Sequence, residues 1–326
     1  MITPRENVIK TIKFETPMYL PHDLPHGYGC DIHGIGMSPS PDSRPTDGNG
    51  TDEWGAVWEN IGTCSLGEVK KYPLKDWADF SKLNIPDYKD PARYANIEEH
   101  VKSGGDKFTM AYGISIYERV HFIRGLEDCW TDIYEEPENM CQLVDLLADM
   151  NCYAIEQYAK YGIDGYMFCD DWGLQDRLMI DPAKWREIWM PRYERIYAKA
   201  HENNMLTFLH SCGHIVDILD DLIAVGLNVI HMDQQENMGL KNLGERFGGR
   251  LTFYSPVDIQ KAMQRSIDDI RSYARDMAKY LARQEGGFIP RWYTDPVGAG
   301  HSEEAILAMC DEFQKISREM YGTDGW

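Results

Sequence analysis

From Phe108 onward, short apolar or β-branched runs alternate with longer amphipathic stretches. The runs are FTMAYG from Phe108, GYMFCDD from Gly165, LTFLHSCG from Leu206, NVIHMD from Asn228, LTFYSPVD from Leu251 and GGFIPRW from Gly286, with MYLPHDLP from Met18 opening the series. Strands alternating with helices predict βαβ units and a parallel sheet. Roughly seven or eight repeats point to a closed (β/α)8 TIM-type barrel rather than an open sheet.

The intervening stretches carry helix signals. Pro137 sits in a first turn, and Met140, Leu143, Val144, Leu147 and Met150 then recur at three and four before Gly162. Asp181 with Pro182 starts another helix, which Pro191 should kink or divide. Ser266 with Asp269 resembles a capping box, and Ser302 caps a last helix striped by Ile306, Met309, Cys310, Phe313 and Ile316. Residues 27–94 differ, being rich in Gly, Pro, Asp and Ser around a Trp-containing piece that suggests a hairpin. They are expected to be an elaboration over the active-site face of a single domain spanning 1–326.

Composition narrows the function. The chain has 326 residues, is 43% hydrophobic and carries a net charge of -20, without a Lys/Arg cluster to hold a phosphate backbone, so nucleic acid is not an expected partner. No run is long and apolar enough for a membrane span, and the opening MITPRENVIKTIKFE lacks the layout of a signal peptide. A cytoplasmic protein is expected, with its eight irregularly spaced cysteines reduced.

In parallel barrels the chemistry gathers at the carboxyl ends of the strands. Leu206, Phe208, His210 and Cys212 share one face of their strand, apolar below and ligand-type above. Imidazole nitrogen and thiolate sulfur can meet one zinc ion, and a helix starting soon after Cys212 would favour thiolate. The plainer alternative is a hydrogen-bonded buried histidine beside a small apolar cysteine. Spacing leaves the third ligand open among Asp295, Asp170, Glu118 and others; Cys310 belongs to an apolar helix stripe. Asp170 and Asp171 are candidate catalytic acids, one of which could instead cap a helix, and at most one should point inward. Trp172, Asp233, Gln235, Tyr254 and Trp292 are the candidates to bind substrate. Trp54, Trp58, Trp172 and Trp292 could together form an aromatic wall.

The stretch GIDGYMFCDDWGLQDRLMIDPAKWREIWMPRYERIYAKAHENNMLTFLHSCGHI resembles the uroporphyrinogen decarboxylase-like superfamily, specifically its methyltransferase branch. TPRENVIKTIKFETP, DEWGAVWEN and GGFIP resemble further segments of it. The resemblance implies a (β/α)8 barrel in which His210 and Cys212 supply two zinc ligands. It also implies methyl transfer between a small methylated substrate and cobalamin carried by a separate corrinoid protein. The family's further ligand, often cysteine, follows the last strand, where GGFIPRWYTDPVGAG has none and Asp295 is the candidate substitute. Decarboxylases of this group carry an arginine-rich M-R-Q-A-G-R segment; HDLPHGYGCDIHG has no arginine, which disfavours decarboxylation. The expected activity is demethylation of a substrate such as an aryl methyl ether. A tetrapyrrole decarboxylase and a non-catalytic barrel that binds a methylated ligand or corrinoid protein are the alternatives.

Overall fold

The computed structural model describes residues 2–62 and 67–325. The strands among them are β1 (Ile32–Ile35), β2 (Gly50–Thr51), β3 (Val57–Glu59), β4 (Glu68–Lys71), β5 (Phe108–Tyr112), β6 (Gly165–Cys169), β7 (Leu206–His210), β8 (Val229–His231), β9 (Thr252–Ser255) and β10 (Phe288–Pro290). Seven form a curled parallel sheet in the order β1-β5-β6-β7-β8-β9-β10, with helices packed on its outer side. Six of these lie in the apolar runs counted above. The seventh, β1, lies in the Gly- and Pro-rich stretch from residue 27, so that stretch is not wholly an elaboration outside the barrel.

The run from Met18 to Pro25 does not form the expected strand. Pro21 and Pro25 lack the amide protons that a ladder needs. One residue, Asp23, instead bridges the two edges of the sheet: it pairs in parallel with Arg291 after β10 and antiparallel with Cys30 before β1. Asp31 next to it donates its N–H to His22 O and accepts from Phe108 N–H, carrying the hydrogen bonding on to β5.

The helices follow their sequence signals. Pro137–Ala159 is one helix buried along its predicted apolar stripe. Asp181 caps Pro182–Ile188, and the helix is interrupted at Trp189 before the next helix, Met190–Glu202, begins ahead of Pro191. Ser266 and Ser302 accept from Asp269 N–H and Ala305 N–H as caps. No described helix is long and apolar enough to cross a membrane.

Within residues 27–94, β2, β3 and β4 form the expected hairpin as a small antiparallel sheet. Buried Arg119, on helix Glu118–Arg124, clamps this region to the barrel through Asp42 at 2.9 Å and Asp52 at 2.8 Å. Trp54 and Trp58 are buried under it, each donating its indole N–H, to Pro41 O and Asp52 respectively. Seven of the cysteines are free thiols; Cys64 lies outside the described residues.

Candidate metal centre

The barrel interior is filled from below by Val8, Ile12, Ile32, Phe108, Met110, Met167, Phe208, Val229 and Ile289. Above these inward-facing residues the same strands turn polar. Cys169 pairs with His210, His210 with His231, and His231 with Tyr254, so the register sets these four side chains level across neighbouring strands. Asp171, Cys212 and Asp233 follow two residues beyond Cys169, His210 and His231, on the same inner face.

The loops after β6 and β7 cross at Gly173 and Gly213. Gly213 has φ +77°, and a Cβ on it would lie 2.2 Å from Gly173 O. Only glycine fits there. The crossing brings Asp171 against Cys212, whose N–H donates to Asp171 Oδ1 at 2.8 Å. His210 Nε2 lies 3.5 Å from Cys212 Sγ and 3.4 Å from Asp171 Oδ1. Ligand atoms of Asp171, His210 and Cys212 thus lie within 4.8 Å of one another. Imidazole nitrogen, sulfur and carboxylate oxygen form a donor set that zinc accepts.

A second trio, His210, His231 and Asp233, shares His210. His210 Nδ1 is 2.9 Å from His231 Nδ1, and His231 Nε2 is 3.1 Å from Asp233 Oδ1. Arg291 presses its guanidinium on the His231 ring, and Tyr254 donates its hydroxyl to Asp23.

Burial works against a charge on His210, but the adjacent Cys212 sulfur and Asp171 carboxylate outweigh it and hold the imidazole well above its ordinary value. Burial likewise opposes ionisation of Asp171, yet the bond from His210 and its charge hold that carboxyl below the usual range. Burial pushes the Cys212 thiol up to about 11. Burial, with the Arg291 charge, takes His231 down to about 3.

The group opens into a cavity of about 740 Å³ whose walls include Arg44, Glu118, Asp233, Gln234, Gln260, Gln264, Tyr293 and Asp295. Arg44 reaches it from the segment before β2 and lies 3.7 Å from Glu118, stacked over Phe122 at 4.9 Å. Burial pushes the Glu118 carboxyl up to about 7, with nearby Asp171 adding to the rise.

Several expected site residues sit elsewhere. Asp170 is fully buried on the opposite face of its strand from Asp171. It accepts from the N–H groups of Ile116, Tyr117 and Glu118 and from the Tyr193 hydroxyl at 2.6 Å, and so anchors the start of helix Glu118–Arg124. Trp172 is buried, stacked on Tyr117 at 3.7 Å between centroids, and Gln235 is buried with its amide donating to Pro256 O. Tyr254 lies in the barrel interior with its hydroxyl spent on Asp23, and Trp292 packs against the helix-side core beyond inward-facing Arg291. None of these four lines the cavity, and with Trp54 and Trp58 buried as well the aromatic wall does not form. Asp295 lines the cavity, its Oδ1 accepting from Gly298 N–H at 2.9 Å, but the oxygen beside His210 and Cys212 is that of Asp171. Glu118, weighed above only as a ligand, and Arg44, Gln234, Gln260, Gln264 and Tyr293 are further wall residues.

The sequence pattern of the family described as uroporphyrinogen decarboxylase (URO-D) matches residues 67–291. None of the curated proteins matches the chain. Among solved structures, a methyltransferase from Methanosarcina mazei superposes with TM-score 0.69 at 14% identity, covering 97% of this chain and 99% of that one. A D-psicose 3-epimerase determined in the presence of D-fructose follows at TM-score 0.44 and 12% identity, over 90% of each chain.

Proposed function

The chain belongs to the uroporphyrinogen decarboxylase family, and we propose that within it this protein is a zinc-dependent methyltransferase moving a methyl group from a small methylated substrate to a corrinoid protein. The observation that carries the reading is the convergence of His210 Nε2, Cys212 Sγ and Asp171 Oδ1 at the floor of an open cavity. These three would hold the ion. Zinc bound there supplies Lewis acidity to the heteroatom that carries the methyl group.

The chain's own groups account for the remaining steps. Glu118 stands on the cavity wall with a carboxyl pushed up to about 7, so that part of it stays protonated near neutral pH and can deliver a proton from Oε to the departing heteroatom. Arg44, on the cavity wall, is placed to hold an anionic group of the substrate and to steady Glu118. Gln234, Gln260 and Gln264 offer amides to further polar groups. Tyr293 is the one Phe, Tyr or Trp among the described residues of the wall, so the lining favours a hydrophilic methyl donor over an extended aryl methyl ether. The mouth of the cavity faces solvent, the arrangement required if the methyl acceptor is cobalamin carried by a separate protein.

Decarboxylation of a polycarboxylated tetrapyrrole fits less well. Glu118, Asp171, Asp233 and Asp295 would face the substrate's carboxylates, with Arg44 the single guanidinium among the described wall residues to offset them.

The test is transfer of methyl from candidate methyl donors to a purified corrinoid protein held as Co(I), followed by the absorbance of methylcobalamin. Turnover that disappears in His210→Ala and Cys212→Ala supports the reading. Absence of turnover across methylated amines, ethers and thioethers, with decarboxylation of a tetrapyrrole carboxylate by the same preparation, overturns it.

A further inference from the structure

Resting on the metal reading above, we infer that His231 and Asp233 are positioning residues that fix the tautomer and orientation of His210, so that its Nε2 faces the ion without a proton. Two ring nitrogens 2.9 Å apart, His210 Nδ1 and His231 Nδ1, can be joined only if one of them carries hydrogen and the other does not. His210 turns Nε2 towards Cys212 and Asp171, so an ion on that side takes the Nε2 lone pair and leaves the proton on Nδ1. His210 then donates from Nδ1 to His231 Nδ1. His231 then carries its own proton on Nε2, where Asp233 Oδ1 is the acceptor 3.1 Å away and Arg291 Nη1 packs against the same nitrogen. The directions form one chain, from carboxylate to imidazole to imidazole to ion.

Burial gives the chain its rigidity. His231 and Asp233 are 5% and 4% exposed, and the two rings lie with centroids 4.4 Å apart. A carboxylate at the far end strengthens electron donation from the near imidazole and holds the ring plane, which is what an outer partner does for a ligating histidine.

The same three residues could instead bind a second cation, since their ligand atoms also cluster. Arg291 argues against this. Its guanidinium lies on the His231 ring, Nη1 closest to Nε2 and 3.2 Å from Nδ1, and its centre is 5.0 Å from the Tyr254 ring centroid in the barrel interior. A fixed positive charge in that position repels another cation and leaves His231 to serve as a neutral relay.

The experiment measures zinc affinity by chelator competition and, with cobalt(II) in place of zinc, the thiolate-to-metal absorption band. Asp233→Ala and His231→Ala should each bind zinc about 10- to 100-fold more weakly than wild type while keeping the thiolate band. His231→Gln, able to accept from His210 and donate to Asp233, should recover most of the loss. The double variant His231→Ala/Asp233→Ala should bind no worse than His231→Ala alone, because Asp233 acts through His231. A general packing defect would not give that pattern, and Asp233→Asn, which keeps the side chain's shape, serves if the alanine variants do not fold. Wild-type affinity in Asp233→Ala or Asp233→Asn, additive losses in the double variant, or two zinc ions per wild-type chain would overturn the inference and leave the methyltransferase reading standing. Failure of wild-type protein to bind any zinc would overturn both.

Discussion

Neighbouring Asp170 and Asp171 take opposite roles because strand residues alternate sides. Asp171 continues the inward series Met167 and Cys169, whereas Asp170 points to the helices and collects four hydrogen-bond donors. Asp170→Ala should therefore cost about 3 kcal/mol or more in denaturant unfolding, by stranding buried N–H groups. Zinc stoichiometry of the protein that folds should stay the same; a variant of wild-type stability, or one folded but zinc-free, would contradict this. Glu118→Gln should do the reverse, lowering methyl transfer about 100-fold with zinc content and melting temperature unchanged. Wild-type turnover in Glu118→Gln would remove it from the chemistry. The parity that separates the two aspartates was available in the sequence and also selects Arg291 over Trp292 after Ile289, and His231 after Val229. Arg44 and Glu118 carried no such signal, because both come from loops or helix starts whose approach to the cavity depends on the tertiary fold.

The loops that hold these side chains are set by close backbone contacts as much as by hydrophobic pattern. Gly213→Ala would drive its Cβ into Gly173 O, so it should cost about 2 kcal/mol or more and weaken zinc binding together with stability. Retention of both would show that the crossing is not what seats Cys212. The joint between Asp23 and β1 is a second such element. There, burial pushes the Asp31 carboxyl up to about 6 from 3.8, against the Tyr19 and His22 donors. A carboxyl raised on folding contributes stability that is complete below the unfolded value and is lost as pH rises through the folded one. Wild type should thus lose about 1 kcal/mol relative to Asp31→Asn between about pH 5 and about pH 7.5. Parallel pH profiles of the two proteins would contradict the assignment. Strands with apolar runs and helices with stripes and caps were legible in the sequence. β1 and the single-residue joint at Asp23 were not, since Ile32–Ile35 is a short run among turn residues and the proline-bounded run at Met18 imitates a strand.

For the molecule as a whole, the curled parallel sheet places its inward-facing residues so that hydrocarbon fills the lower barrel and ligand-type groups converge above it. The segment carrying β2, β3 and β4 is clamped by Arg119 and delivers Arg44 to the cavity, a long-range arrangement that no local pattern encodes. Everything proposed for the reaction depends on one ion held by His210 and Cys212. The most direct measurement is zinc K-edge absorption on protein loaded with a single equivalent of zinc. One sulfur at about 2.3 Å with nitrogen and oxygen neighbours at about 2.0 Å, the sulfur shell vanishing in Cys212→Ala, is the predicted result. A spectrum without sulfur, or one unchanged by Cys212→Ala, would contradict it.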